Sequence, residues 1–445
     1  MTAWSRARSR IRCIRTRIEP RTEPRTGLRT GLRIGLRIEL ACRPGMLLGG
    51  VLLAALSITT PDALAKKSKA ASSESTAQPA VSVETQFNQV LDEIGNQRFD
   101  VALVKVESLI RARPNFHLAH LVKGDLLLAR ARPLHNIGDV QNAPPERLAD
   151  LREEAIVRLR ALRERPPLDQ LPRYLLQLRS EQKNAIVVDT RRARLYVFAH
   201  QDGALRLVSD YYITIGKRGS AKLREGDQKT PIGVYHVTSS LPRQKLTDFY
   251  GSGAFPINYP NEWDKRQGRS GHGIWLHGTP SDTYSRPPRA SDGCVVLSNA
   301  DLDQLGKLVQ TGLTPVVIAE GIEWIKNDDL LRERKQMREV VEQWRADWES
   351  RNHDRYMQHY SRNFSSGGVN HASWDRQKQQ VNAGKEWLKI GISNLSIVRN
   401  PGQEEFMVVN FEQDYRSSNL HNQMRKRQYW VRESGRWRII YEGNG

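Results

Sequence analysis

The pattern of hydrophobic and polar positions divides the chain into three parts of different periodicity. Between residues 84 and 180, apolar side chains recur every three or four positions, the spacing of a helix with one buried face. Pro114 and Pro133 interrupt this pattern, because proline cannot continue a helix. The pattern therefore predicts a helical N-terminal region over residues 84–180, made of short helices.

Between residues 184 and 320 the hydrophobic period becomes that of strands. Short apolar runs beginning at Ala185, Leu195, Leu205 and Gly233 are each bounded by glycine, aspartate or proline. One short helix is predicted near residues 299–308, ahead of a last apolar run. These features predict a mostly β domain.

Residues 324–445 mix the two periods. An amphipathic helix is predicted from Trp324 to about Trp348, followed by a second helical stretch and by strands that begin at Phe406, Arg427 and Arg436. Helices followed by a meander indicate an α+β domain. The predicted fold class of the whole chain is therefore multidomain α+β.

The C-terminal part is rich in tryptophan, and two interpretations stay open. The side chains form either a plain hydrophobic core or the lining of a ligand cavity, and core is the more common role for large aromatic residues. The tryptophans concerned are Trp324, Trp344, Trp348, Trp374, Trp387, Trp430 and Trp437.

The N-terminal 83 residues read as a targeting segment rather than as part of a fold. Residues 46–65 form an apolar run that ends in Ala63-Leu64-Ala65, the pattern of a cleavable signal peptide; an uncleaved anchor is the alternative. Residues 1–45 are a basic low-complexity leader, read either as an upstream extension or as a binding arm. Residues 66–83 resemble a linker. We expect an exported protein of the periplasm or cell envelope.

Charge and cysteine content narrow the function classes. The formal net charge of +20 suits nucleic acid, an anionic membrane or an acidic wall polymer. Nucleic acid is the least favoured partner, because an exported chain rarely meets it and no recognition motif is present. Of three cysteines, Cys13 and Cys42 lie in the leader, so only Cys294 remains. One thiol forms neither an internal disulfide nor a thiolate metal site, and no metal or cofactor is expected.

The remaining thiol lies in a sequence that suits nucleophilic catalysis. Cys294 ends the segment Ser291-Asp292-Gly293-Cys294, and His277 lies seventeen residues before it. Acyl transfer by a thiol needs a nearby base and donors for the developing oxyanion. His277 is the candidate base, the amides of Gly293 and Cys294 are candidate donors, and we expect His277 to lower the pKa of Cys294 below that of a free thiol. The alternative is a buried structural cysteine beside a core histidine.

The order His-Gly, a polar loop and Ser-x-Gly-Cys resembles the active-site motif of the L,D-transpeptidase (YkuD) family. Segments around Gly216 and Thr230 also resemble that family's strand and substrate-cleft segments, so that the resemblance covers residues 184–320. It implies a mostly β catalytic domain that acts on peptidoglycan stem peptides. Cys294 would form an acyl-enzyme with the diaminopimelate carbonyl, D-alanine would leave, and an amine would accept the acyl group.

The resemblance also implies roles for individual residues. His277 would move the proton, and the carbonyl of Gly278 would orient its ring. Ser291, Asp292, Gly293 and Thr230 are oxyanion or cleft candidates. His272, five residues before His277, is expected on the opposite face of a strand at the cleft rim.

Two positions depart from the family pattern. Asp292 stands where the family commonly has histidine, and Val296 stands where it often has arginine. Asp292 cannot donate a hydrogen bond as an imidazole does, and losing the arginine removes a cation from the site. The departures leave the nucleophile and base in place but leave the acyl acceptor open.

The order of the domains adds a further resemblance. The helical region resembles tetratricopeptide hairpins, and the whole order is similar to cell-shape-determining L,D-carboxypeptidases with a C-terminal domain like nuclear transport factor two. An L,D-carboxypeptidase that trims tetrapeptides to tripeptides is therefore the alternative function, and a non-catalytic wall-binding scaffold is the alternative from another class. A wall-attached protein is a candidate acceptor, and the helical region is a candidate homodimer contact.

Overall fold

The computed structural model describes residues 82–140 and 143–445. The predicted leader, signal peptide and all but the end of the linker lie outside the described residues. Among those that are described, no helix combines the length and the apolar composition needed to cross a bilayer.

The helical region consists of four helices: α1 (Val83–Gly95), α2 (Phe99–Ala112), α3 (His117–Leu128) and α4 (Pro145–Arg163). Ser82 caps α1, because its side chain accepts a hydrogen bond from the amide of Thr85. The apolar faces meet in a core around Phe87, Val106 and Phe116. The periodicity thus predicted these helices correctly.

The last residues of the predicted helical region are strands instead. β1 (Gln170–Pro172) and β2 (Leu175–Gln177) follow α4, and both pair with strands from the far end of the chain. Three-residue strands carry no periodic pattern of their own, so only these long-range pairings reveal them. The helical prediction for this stretch was wrong.

The strand-rich domain folds around a core between two sheets. Its five-stranded sheet has the order β5-β4-β3-β13-β7, and its four-stranded sheet has the order β12-β10-β9-β8, while β6 and β11 form a separate parallel pair. The elements are β3 (Asn184–Asp189), β4 (Arg194–Gln201), β5 (Ala204–Tyr212), β6 (Ile215–Gly216), β7 (Gly233–His236), β8 (Leu241–Pro242), β9 (Gly253–Pro256), α5 (Glu262–Arg266), β10 (Trp275–His277), β11 (Arg289–Ser291), β12 (Val295–Val296), α6 (Asn299–Gly306) and β13 (Pro315–Ala319).

The C-terminal domain is a five-stranded sheet of order β2-β17-β18-β19-β20 with helices packed against it. β2 precedes the strand-rich domain in the chain, and the other four strands follow it. The C-terminal sheet is therefore built from segments on both sides of that domain. The elements are β14 (Trp324–Lys326), α7 (Asn327–Glu349), α8 (His353–Met357), β15 (Ser365–Ser366), β16 (Val369–Asn370), α9 (His371–Ala383), β17 (Leu388–Arg399), β18 (Phe406–Ser417), β19 (Leu420–Glu433) and β20 (Arg436–Asn444).

Two sequence predictions for this domain need correction. The long helix begins at Asn327, and Trp324 lies in a strand, where it makes an edge contact with Tyr196 at 5.7 Å between ring centroids. Residues 388–399, for which no strand was predicted, form β17. A register shift between Ser393 and Ser396 breaks its alternating pattern and hides the strand from a periodicity analysis.

Most of the buried tryptophans form core rather than a cavity lining. Trp344 and Trp430 are fully buried and Trp348 nearly so, in one cluster with Phe411. Trp387 is half exposed. The fold class predicted from the sequence, multidomain α+β, is confirmed.

A shared core joins the strand-rich and C-terminal domains. Trp263 stacks on Phe406 with ring centroids 4.2 Å apart, and its indole N–H donates to Glu404 at 2.9 Å. Val187 and Phe198 of the strand-rich domain lie in the same buried cluster. This continuous core fixes the C-terminal domain against the back of the five-stranded sheet.

A buried ion-pair network joins the helical region to the strand-rich domain. Arg158 of α4 pairs with Glu84 of α1 and with Glu154 at 3.0 Å, and its guanidinium stacks on the ring of Tyr212 at 3.9 Å. Glu84 also bonds Arg194 of β4 at 3.0 Å. Burial alone would raise the pKa of Glu84, but the two arginines hold it below its usual range.

Replacing Arg158 with methionine should strongly destabilise the protein. Arg158→Met keeps most of the side-chain volume but leaves Glu84 and Glu154 buried without their shared cation, at a cost of about 3–5 kcal/mol in unfolding free energy. Urea unfolding followed by circular dichroism measures this. Arg160→Met, an exposed position on the same helix, is the control and should cost less than about 0.5 kcal/mol. Equal stability of the two variants would contradict the network's role.

Candidate active site

The parallel pairing of β10 with β12 brings the histidine and the cysteine to one face. Leu276 pairs with Val295 and His277 with Val296, and both Leu276 and Val295 point into the core. Because side chains alternate along a strand, His277 points to the opposite face. Cys294, the residue before Val295, points to that same face. The two residues that the sequence singled out thus lie on the same face of adjacent strands, two register positions apart.

The His277 ring is buried and held in one orientation. It is 1% exposed, and its Nδ1 lies 2.7 Å from the carbonyl oxygen of Gly278. The carbonyl can only accept, so Nδ1 carries the hydrogen and Nε2 is the basic nitrogen. The rings of Tyr250 and Phe249 pack against the imidazole at 5.1 and 5.9 Å. This is the orienting contact that the family resemblance implies, and the catalytic role stays a prediction.

Cys294 is partly exposed, unlike a structural cysteine sealed in a core. Its thiol donates to the carbonyl oxygen of Gly273 at 3.3 Å, and the backbone amide of Trp275 donates to the sulfur. Both partners belong to the segment that leads into β10. The sulfur therefore lies at the entrance of the histidine strand, in a residue that is only partly exposed.

The hydroxyl groups of two residues form hydrogen bonds with the backbone of the loop before Cys294. Ser291 Oγ donates to the carbonyl of Cys294 at 2.7 Å and accepts from the Gly293 amide at 3.1 Å. Thr230, fully buried, donates to the Gly293 carbonyl and accepts from the Gly216 amide, both at 3.0 Å. Ser291 and Thr230 therefore hold the loop in place.

Gly293 has a conformation that other residues rarely adopt. Its φ is +130°, and a Cβ atom there would come within 2.7 Å of the Lys229 carbonyl oxygen. Its amide donates to Ser291 Oγ at 3.1 Å in this structure, and the oxyanion role expected of that amide stays a prediction. The amide of Cys294 is the other backbone candidate for that role.

The other two predicted positions lie on the exposed rim. Asp292 forms an ion pair with Lys217 at 3.0 Å and accepts from Gln228 at 3.2 Å. His272 lies in the loop before β10, not on a strand as expected, because Gly271 and Gly273 on either side have positive φ. Its exposed ring is 3.5 Å from Glu225. In the described part of the chain, no group of three or more potential ligands is arranged to hold a metal ion.

Arg286 is a site residue that the sequence reasoning missed. It lies in the loop between β10 and β11, with its guanidinium 4.9 Å from the centre of the Phe249 ring. Its charge is close enough to lower the pKa of His277 and to favour the thiolate of Cys294. It occupies no motif position, so no sequence signal distinguishes it from the neighbouring arginines. A cation is thus present near the sulfur although Val296 replaces the family's arginine.

Burial controls the protonation of both reactive groups. It raises the pKa of Cys294 to about 11, against the opposing effect of the Trp275 amide, and lowers the pKa of His277 to about 4. The expectation that His277 lowers the thiol pKa was therefore wrong, because desolvation outweighs the nearby cations. Near neutral pH the resting site holds a neutral thiol and a neutral imidazole.

Two family models match the chain. Residues 183–318 match the L,D-transpeptidase catalytic domain (YkuD), and residues 336–443 match the Cds6 C-terminal NTF2-like domain. Both resemblances inferred from the sequence are thereby confirmed for these residues. The matched catalytic domain acts on peptidoglycan stem peptides in its family.

Solved structures from two bacteria are similar to about three fifths of this chain. Bd1075 of Bdellovibrio bacteriovorus is 29% identical, with a TM-score of 0.56, and the match covers 62% of this chain and 98% of that one. The helical cell shape determining protein Pgp2 of Campylobacter jejuni is 26% identical, with a TM-score of 0.53, and the match covers 61% and 95%. Among curated proteins, none matches this chain.

The alkylation rate of Cys294 should keep rising with pH beyond the range of an ordinary thiol. With a pKa of about 11, the thiolate fraction grows about tenfold per pH unit through pH 10. Initial rates with iodoacetamide between pH 6 and pH 10 measure this, with Cys294→Ala as the blank. A plateau below pH 8.5 would show instead a preformed thiolate–imidazolium pair.

Proposed function

We propose that the chain is an exported peptidoglycan enzyme that transfers the acyl group of a tetrapeptide stem through Cys294 to an amine. The observation that supports this best is the placement of Cys294 and His277 on one face of two paired strands, inside a segment that matches the L,D-transpeptidase catalytic domain. Export rests on the signal-like sequence of residues 46–65.

The proposed first step uses the neutral pair directly. As Sγ of Cys294 bonds the diaminopimelate carbonyl carbon, the thiol proton passes to Nε2 of His277, and the carbonyl oxygen becomes an oxyanion near the Cys294 amide. The intermediate collapses when the bond to D-alanine breaks. The imidazolium then protonates the leaving nitrogen, which yields free D-alanine, a thioester and a neutral histidine.

The second step reverses these roles with a new nucleophile. An amine attacks the thioester carbonyl, Nε2 of His277 takes the amine proton, and the proton returns to the departing sulfur of Cys294. The acceptor is the side-chain amine of a second stem peptide, or an amine of a protein that becomes attached to the wall.

Water is the second candidate acceptor. The same histidine can activate water, and the products are then a tripeptide stem and the free enzyme. The likeness to Pgp2 favours this alternative, because the structural match covers 95% of a protein whose name links it to helical cell shape. Trimming a stem removes a cross-linking donor, so local trimming can change the shape of the wall.

A non-catalytic wall-binding role is the contrasting hypothesis. The net charge of +20 favours contact with an anionic polymer whether or not the site is active. The orienting bond from His277 to Gly278 and the partial exposure of Cys294 are features that catalysis uses and that wall binding does not require.

Purified tetrapeptide muropeptides should lose D-alanine when incubated with the protein. Cys294→Ala should lower the rate at least about a thousandfold, because it removes the atom that carries the acyl group. Chromatography with mass spectrometry separates the outcomes: cross-linked dimers indicate an amine acceptor, and tripeptides alone indicate water. Ser180→Ala, at an exposed position, is the control. A wild-type protein that binds peptidoglycan but releases no D-alanine would favour the scaffold.

A further inference from the structure

The environment of Arg286 is unusual for an arginine. It is half-buried on the loop after His277, and its guanidinium lies over the Phe249 ring, which in turn packs against the imidazole of His277. Its carbonyl oxygen accepts hydrogen bonds from Tyr212 at 2.8 Å and Thr214 at 3.1 Å. The backbone is therefore anchored, so the side chain is held at the site.

The guanidinium itself has no hydrogen bond or ion pair within residues 82–140 and 143–445. The carboxylates whose charges act on Arg286 are those of Asp292 and Asp282. Both already have partners: Asp292 pairs with Lys217, and Asp282 accepts a hydrogen bond from the Thr283 hydroxyl at 2.9 Å. Burial lowers the pKa of Arg286, so holding this charge without a partner costs free energy. No carboxylate among the described residues pairs with this cation, which leaves it available for an anionic ligand.

The position of the guanidinium indicates which part of the substrate it meets. In the proposed reaction His277 protonates the leaving nitrogen, so the leaving residue must lie on the histidine side of the scissile bond. Arg286 packs on that side, through Phe249. The carboxylate of a leaving D-alanine is only two bonds from the protonated nitrogen, whereas the free carboxylate of diaminopimelate lies beyond its side chain on the acyl side.

We propose that Arg286 binds the terminal carboxylate of the leaving D-alanine and so selects stems that end one residue after the scissile bond. This inference rests on the proposed function. A planar guanidinium suits a carboxylate, because two parallel N–H donors match its two oxygens. A stem that is one residue longer would place its carboxylate outside this reach and an uncharged amide beside the cation.

The test compares two tetrapeptide stems that differ only at the C-terminus, one ending in D-alanine and one in D-alaninamide. The wild type should favour the carboxylate stem in kcat/KM by roughly ten- to a hundredfold, the range expected for one charge-assisted contact. Arg286→Gln should lose most of that preference by slowing the carboxylate stem alone. Arg286→Lys keeps the positive charge but lacks the two parallel N–H donors, so this variant should retain part of the preference.

Arg289→Gln is the matched control. Arg289 lies three residues further along the chain, at the start of β11, is exposed, and pairs with Glu153 at 2.7 Å rather than with the site. Its variant should keep the wild-type preference. If Arg286→Gln slows both stems equally, or neither, the assignment to the leaving residue is overturned.

A second measurement needs no peptidoglycan turnover. Iodoacetate and iodoacetamide both alkylate Cys294, but only iodoacetate carries a carboxylate, so the ratio of their rates reports the cation near the sulfur. The ratio should fall several-fold in Arg286→Gln and stay unchanged in Arg289→Gln. An unchanged ratio in Arg286→Gln overturns the anion site itself. A reduced ratio together with no release of D-alanine by the wild type overturns the proposed function and the identity of the carboxylate.

Discussion

The two-residue parallel pairing of β10 with β12 is the constraint on which the site depends. Two neighbouring strands, separated in the chain by about seventeen residues that include β11, place a base and a thiol on one face because their register is set by Leu276 and Val295 in the core. A slip of one residue would turn Cys294 inward and expose an apolar side chain. The hydrophobic core therefore sets which face the reactive side chains are on, and the loops fix only their final positions.

The backbone of the loops around the two reactive residues is held by hydrogen bonds from polar side chains. Asn299 donates to the Thr279 carbonyl and accepts from the Ser252 amide, both at 2.9 Å, which fixes the chain around Gly278. Thr230 and Ser291 do the same for the cysteine loop. These hydroxyl and amide groups are fully used by the scaffold. For Ser291 and Thr230, the observed contacts are therefore with the backbone of the cysteine loop.

The predictable features were those encoded in local sequence. Helices with one apolar face, the strands of the central sheet and the motif around Cys294 all carry signals within a few residues. The pairing of β2 with β17 and the position of Arg286 do not, because both depend on segments brought together by the whole fold. The thiol pKa was predicted wrongly for a related reason: neighbouring residues suggest charge partners, but burial is a tertiary property.

The neutral state of Cys294 and His277 fits with the presence of the unpaired Arg286 cation near them. A protonated thiol reacts slowly with oxidants, which suits a protein exported as proposed. Burial is the main cause of the low pKa of His277, and the charge of Arg286 lowers it further. A carboxylate bound to Arg286 would cancel that second effect and make His277 a better proton acceptor. Substrate binding would therefore raise the basicity of the imidazole at the moment when the thiol must lose its proton.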